Sequence, residues 1–243
     1  MTTETAAPTP TTQPERPVYI TYLNIDELLE LQKPPEERLH PDELTFQVVH
    51  QTFELWWKAT TDYLERAITL LDDDNPALAA GLLRRAVAAQ AVVLGALRQL
   101  EFVAPTDFLT MRAGLGNGSG ADSPGFRAIL RIAPRLWTAF TTALDRAHVP
   151  LVQLYADPAA HPALYDCAEA LTDFDEVFHI FRAQHLKLAQ RHLGLSAIGT
   201  GGTPMNMLER TLRDLLFVDL WQARDELLAL RQAESGGGTT SGH

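Results

Sequence analysis

Eight histidines are spread over the 243 residues, and three of them (His179, His185 and His192) fall within one helical stretch of the C-terminal half. His185 stands in Phe181-Arg-Ala-Gln-His-Leu-Lys-Leu-Ala-Gln-Arg-His192, with Phe181, Leu188 and Leu195 marking an apolar side. A neutral imidazole in such a helix can coordinate a haem iron through Nε2 while its Nδ1–H serves a nearby acceptor. It can equally be a packed or surface histidine, and spacing does not choose between the two. A carboxylate-bridged di-iron centre needs a Glu-x-x-His pair on each of two helices and two further glutamates. Glu176-Val-Phe-His179 has that form. Glu37-Arg-Leu-His40 has it only formally, because Pro35 and Pro41 keep it out of a helix interior. One usable pair does not make that centre.

Two glycine-rich stretches offer anion chemistry. Gly199-Thr-Gly-Gly-Thr203 lacks the Lys-Ser/Thr and the preceding strand of a phosphate-binding P-loop. Its glycines can still turn backbone N–H groups onto an anion, with the Thr200 hydroxyl as a further donor. Arg112, just before the stretch Gly114 to Gly125, can hold a carboxylate with a bidentate fork. These groups suit an amino acid or an acidic cofactor. Connecting turns and a surface arginine would look the same.

The elements that must position these groups read almost entirely as helix. Ile25 to Gln32 gives a short amphipathic turn or two, broken by Pro34, Pro35 and Pro41. A long helix is expected from about Asp42 to Leu71, with Phe46, Val49, His50, Phe53 and Trp57 on one face. Asp72 to Pro76 stops it, and an Ala- and Leu-rich helix follows to about Phe102. Further helices are expected from Pro105, over Pro124–Ala147, over Pro162–His192 and over Met205–Gln232. The fold class is all-α, a helical bundle. Residues 1–17, rich in Thr and Pro, read as a disordered tail; 18–233 form a single helical domain; 234–243 are a flexible tail.

Bulk properties narrow the partners. At 46% hydrophobic and 21% charged, the chain has the composition of a soluble globular domain. A net charge of -11 repels polyphosphate, so no nucleic-acid partner is expected. The single cysteine, Cys167, excludes an intrachain disulfide and suits a reducing compartment. No apolar run approaches the ~20 residues of a membrane span, and no basic-then-apolar leader is visible. A cytoplasmic protein with no membrane partner is the expectation.

Taken in order, these segments resemble the tryptophan 2,3-dioxygenase superfamily. The resemblance rests on Tyr19-Ile-Thr-Tyr-Leu with Asp26 and Leu28-Leu29, and on the block from His40-Pro-Asp-Glu-Leu-Thr-Phe to His50-Gln-Thr-Phe-Glu-Leu-Trp-Trp-Lys58. It continues in Pro105-Thr-Asp-Phe-Leu-Thr-Met-Arg-Ala-Gly-Leu-Gly116 with Ser119-Gly120, then Phe181-Arg-Ala-Gln-His185, Gly199-Thr-Gly-Gly-Thr203 and Leu220-Trp-Gln-Ala-Arg224. It implies the helical bundle shared by tryptophan and indoleamine dioxygenases, haem b as cofactor, and His185 as the axial ligand of its iron. It implies that His50 hydrogen-bonds the indole nitrogen, that Phe46 packs on the indole and that Arg112 clamps the substrate carboxylate. Thr200 would hold the amino acid's polar end, and Ser119 and Gly120 would lie beside the distal haem face. Tyr19 and Tyr22 would line a neighbouring subunit's pocket in a homotetramer.

Departures from the family pattern are also legible. Ser119-Gly-Ala-Asp-Ser123 stands where the family has Ser-Gly-Phe-Gln-Ser, and Arg112-Ala113 where it has Arg-Tyr. Leu97 replaces a tryptophan expected beside His185, and the stretch between Arg112 and His185 is short. The first function implied is dioxygenation of L-tryptophan by O₂ to N-formylkynurenine. A second is a haem-dependent monooxygenase or peroxygenase of the same superfamily acting on a modified tryptophan, another indole or a tyrosine derivative. A third is a haem-binding scaffold without turnover.

Overall fold

The computed structural model describes residues 16–116, 118–196, 198, 209 and 212–236, which fall into two compact units, one ending at Arg38 and the other beginning at Leu39. In the first, α1 (Val18–Leu23) and α2 (Ile25–Leu29) meet at Asn24, whose left-handed backbone (φ 50°) breaks the helical run. Helix thus begins where the expected N-terminal tail ends.

The second unit is an all-α bundle, as the sequence predicts. Its helices are α3 (Glu43–Asp72), α4 (Pro76–Leu97), α5 (Pro105–Arg112), α6 (Pro124–Ala147), α7 (Leu151–Ala156), α8 (Pro162–Leu193) and α9 (Val218–Gly236). On α3 the buried Val49, Phe53, Trp57, Thr60, Leu64, Ile68 and Leu71 recur every three or four residues, giving one continuous and mostly apolar stripe. That stripe packs on α4 and α6, and α4 packs in turn on α8. Small residues make the close approach possible, since Ala79, Ala80, Ala86 and Ala89 are all buried on α4. Among the described residues α4 with its 3₁₀ extension, Pro76–Phe102, is long and apolar enough to cross a membrane. Its apolar character has another use here, as the layer between α3 and α8. Within this layer Gln90 is fully buried and accepts a 3.0 Å hydrogen bond from Trp57 Nε1.

Several local features differ from expectation. The short helix α7 was not anticipated; it follows the left-handed His148 (φ 55°) and Pro150, which end α6 and redirect the chain. The last helix begins at Val218 rather than Met205; 212–213 are turn and 216–217 bend, and most of the expected stretch from Met205 to 211 lies outside the described residues. The cause lies on α8. The buried Asp175 carboxylate accepts from Leu216 N (2.9 Å), Phe217 N (3.3 Å) and Trp221 Nε1 (3.0 Å), drawing these amides out of any continuous helix. At its other end α9 extends to Gly236, into the segment expected to be tail. Leu195 does not continue the apolar side of His185, because α8 stops at Gly194 (φ 87°) and Leu195 is 78% exposed.

Candidate active site

Two histidines on two helices form the centre. His50 projects from α3 and His185 from α8, close enough for a charge on one to disfavour a charge on the other. Burial, and then His50, holds the His185 imidazole down to about 4, so it is neutral across the physiological range. The ring of Phe181, one turn earlier on α8, lies 6.1 Å away and nearly parallel. Burial also lowers the pKa of His50, against the opposing pull of the Phe46 carbonyl and of Glu54.

His50 Nδ1 lies 2.7 Å from the Phe46 carbonyl oxygen. A carbonyl only accepts, so Nδ1 carries the proton and Nε2 of the neutral ring is left as an acceptor. The Phe46 and His50 rings touch at 4.1 Å, and Phe53 lies 5.4 Å from His50 on the next turn. An acceptor nitrogen framed by aromatic faces suits a flat apolar molecule with a single N–H.

A short turn lies against His185. Gly120–Asp122 is a 3₁₀ turn closed by Asp122, whose carboxylate accepts from Ser119 N (3.0 Å) and Ser119 Oγ (3.3 Å). A Cβ on Gly120 would stand 3.8 Å from Cε1 and 3.9 Å from Nε2 of His185. The resemblance implies a place beside the haem for Ser119 and Gly120, and the fold brings Gly120 to the His185 ring.

Helix α5 bridges α3 and α8 at this end of the bundle. Phe108 contacts Phe46 at 6.3 Å on one side and stacks on His192 at 4.6 Å on the other. One turn later Arg112 borders a shallow, open cleft of about 330 Å³ together with Leu109, Ala113 and Gly116. Its Nη2 donates to the carbonyl of Ile198 at 2.8 Å. Thr200 lies outside the described residues. Tyr19 and Tyr22 stand on α1 at 70% and 83% exposure.

Other candidate histidines have structural partners or none. Buried His192 donates through Nε2 to the Val103 carbonyl at 3.1 Å and is a packing residue. His179 and Glu176 do not gather a di-iron ligand set. Among the described residues, three potential ligand side chains come within reach of one ion only at His40, Asp42 and Asp107. There the His40 Nδ1 already accepts from Asp42 N. Sequence reasoning assigned no role to Glu54, Ser123 or Asp175. The signals were present: Glu54 follows His50 by one helical turn, and Asp175 is an acid on an otherwise apolar helix face.

The residues present fit a haem. A neutral imidazole is the required donor for an axial position, and His185 is kept unprotonated by its surroundings. His50 lies near enough to influence its charge, and the backbone bond that holds the His50 ring uses Nδ1 and leaves Nε2 as an acceptor.

The sequence model of the tryptophan 2,3-dioxygenase family matches residues 6–132, which include His50, Arg112, Ser119 and Gly120. The chain is 30% identical to a tryptophan 2,3-dioxygenase of Caulobacter vibrioides over 260 aligned positions, covering 86% of this chain and 98% of that one. It is 27% identical to the Serratia proteamaculans enzyme of that name over 264 positions, covering 88% and 94%. Both alignments are longer than the 243-residue chain, so these relatives carry stretches with no counterpart here. With more than half of its length matched by the family model and these relatives covered almost end to end, the chain belongs to the tryptophan 2,3-dioxygenase family.

Proposed function

We propose that this chain is a haem-dependent tryptophan 2,3-dioxygenase, which adds both atoms of O₂ across the indole 2,3-bond of L-tryptophan to give N-formylkynurenine. One observation carries the reading: buried His185 on α8 lies near enough to His50 on α3 for a charge on His50 to disfavour one on His185, burial lowers the pKa of both, and the Phe46 carbonyl leaves His50 Nε2 as an acceptor. Family membership supports it further.

The protein's part is to bind, orient and enclose. His185 would hold haem b through its neutral imidazole. When bound, the haem supplies the iron that binds and activates O₂. His50 Nε2 accepts the indole N–H, which fixes the ring and removes no proton. Phe46 packs on the indole face, and its carbonyl keeps the His50 ring in the accepting tautomer. The Arg112 guanidinium holds the substrate carboxylate, and the Thr200 hydroxyl holds the amino acid's polar end. Anchoring both ends of the substrate selects the carbons presented to oxygen, an orientation effect of the kind that gives large rate advantages. Ser119 and Gly120, on the turn that meets His185, would border the haem. Tyr19 and Tyr22, exposed on α1, serve the pocket of a neighbouring subunit in a homotetramer. The enzyme is cytoplasmic in this reading.

The test is direct. Reduced, haem-loaded protein is mixed with L-tryptophan and O₂, and the product is identified by mass. N-formylkynurenine carrying two oxygen atoms from labelled O₂ is expected. A protein that shows a normal haem spectrum yet leaves tryptophan unchanged would overturn the assignment.

A further inference from the structure

One acid links the two halves of the site. Glu54 lies on α3, four residues after His50, and its carboxylate reaches across to the start of α6. Its Oε1 accepts from Ser123 Oγ at 2.5 Å and its Oε2 from Gly125 N at 2.9 Å. Ser123 is used twice, since the same Oγ accepts from Phe126 N at 3.0 Å and so caps α6. The junction is tight. A Cβ on Gly125 would fall 2.7 Å from Glu54 Oε2 and 2.8 Å from the Cβ of Trp57, so only glycine lets α6 seat on α3 this closely.

Ser123 is also the C-terminal root of the turn that meets His185. Ser123 N donates to the Gly120 carbonyl at 3.2 Å, and Asp122 closes the turn onto Ser119. The contacts therefore form one chain, from the His50 helix through Glu54 to Ser123, then through the turn to Gly120 beside the His185 ring.

We propose that Glu54 is a positioning residue: through Ser123 and Gly125 it fixes the Ser119–Ser123 turn, and so sets the width of the slot between the His50 helix and His185. This rests on the haem-binding reading above. Glu54 touches neither the substrate nor the iron; it acts through the turn. The carboxylate is the required group because it offers two acceptor oxygens to two donors on one element. A glutamine offers one acceptor oxygen and an amide that can donate to the second lone pair of Ser123 Oγ, so it keeps the geometry with the charge removed.

The experiment compares wild type, Glu54→Ala, Glu54→Gln and Ser123→Ala, all loaded with haem. Two readouts are taken: the rate of haem transfer to excess apomyoglobin, and the C–O stretching band of the ferrous carbonyl form. Glu54→Ala loses both charge-assisted hydrogen bonds that hold the turn, so it is expected to release haem roughly tenfold faster or more. Its C–O band should broaden as the turn samples several positions. Ser123→Ala should shift both readouts in the same direction by less, and Glu54→Gln should stay within about twofold of wild type. An unchanged release rate and an unchanged band in Glu54→Ala would overturn the proposal. So would a defect in Glu54→Ala with wild-type behaviour in Ser123→Ala. If Glu54→Ala does not fold, Ser123→Ala and Glu54→Gln decide alone, and wild-type values for Ser123→Ala overturn it. A wild-type protein that takes up no haem refutes the underlying reading instead, which keeps the two failures apart.

Discussion

Arg112 Nη2 donates to the carbonyl of Ile198 at 2.8 Å, joining α5 to a residue 86 positions further along the chain. A guanidinium has five N–H donors in a rigid fork, so one can serve this carbonyl while another edge meets a carboxylate. A lysine ammonium has no planar fork, so it cannot grip a carboxylate bidentately while holding this carbonyl. Arg112→Lys should therefore weaken L-tryptophan binding about 10- to 100-fold, on the scale of one or two charge-assisted hydrogen bonds. Tryptamine, which lacks the carboxylate, should bind variant and wild type alike. Titrations followed by the haem spectrum measure both, and equal losses for the two ligands would remove Arg112 from carboxylate recognition.

The two histidines should separate cleanly on substitution. His185→Ala is expected to purify without a Soret band under conditions that load the wild type. His50→Ala should keep its haem and lose mainly in kcat, by about 10- to 100-fold, because a positioning contact is removed and no proton carrier is lost. Pyridine haemochrome assays and steady-state kinetics give the two answers. Haem loss in His50→Ala with retention in His185→Ala would reverse the assignment.

Asp175 should be worth more to stability than any surface ion pair of this protein. Its buried carboxylate serves three donors, two of them backbone amides leading into α9. Truncating it leaves all three without a partner, which should cost about 3–5 kcal/mol. Urea denaturation of Asp175→Ala, read by far-UV dichroism, should show that loss. Asp175→Asn keeps one acceptor oxygen and should fall between.

Cys167 offers a check on burial that needs no mutation. Burial between α4 and α8 pushes its thiol up to about 12, and Sγ donates to the Pro76 carbonyl. Near pH 8 the folded protein should be inert to Ellman's reagent, with one thiol appearing in denaturant. The folded state holds this proton more tightly than the unfolded chain does, so the contribution to stability is intact below the ordinary thiol value of 9.0. It is lost as pH climbs from there toward about 12. Fast labelling of the native protein would contradict the packing described.

How much of this was legible in the sequence differs between levels. The long helices were, because periodic apolar residues, Pro76 and Pro124 at helix starts and the Asp72–Asn75 break are local signals. The start of α9 was not. It depends on Asp175, some forty residues earlier, and no local pattern encodes a partner at that distance. His185 shows the same limit in the site. Its helix offers three histidines, and only tertiary packing distinguishes His192, tied to Val103 and stacked on Phe108, from His185, held neutral opposite His50. Glu54 was readable as a member of a motif, and its work became visible only once α6 was seen to start against α3.

Gly120 has a further consequence. Its φ is not in the left-handed region, and a methyl group there would meet His185 at ordinary van der Waals distance. Nothing in the polypeptide alone therefore demands a glycine at this position, unlike Gly125. On the haem-binding reading, a methyl group there would instead crowd a cofactor at the Nε2 edge of His185. Folding and cofactor uptake are thus separable at one atom: Gly120→Ala should melt like wild type without haem, and bind haem more weakly.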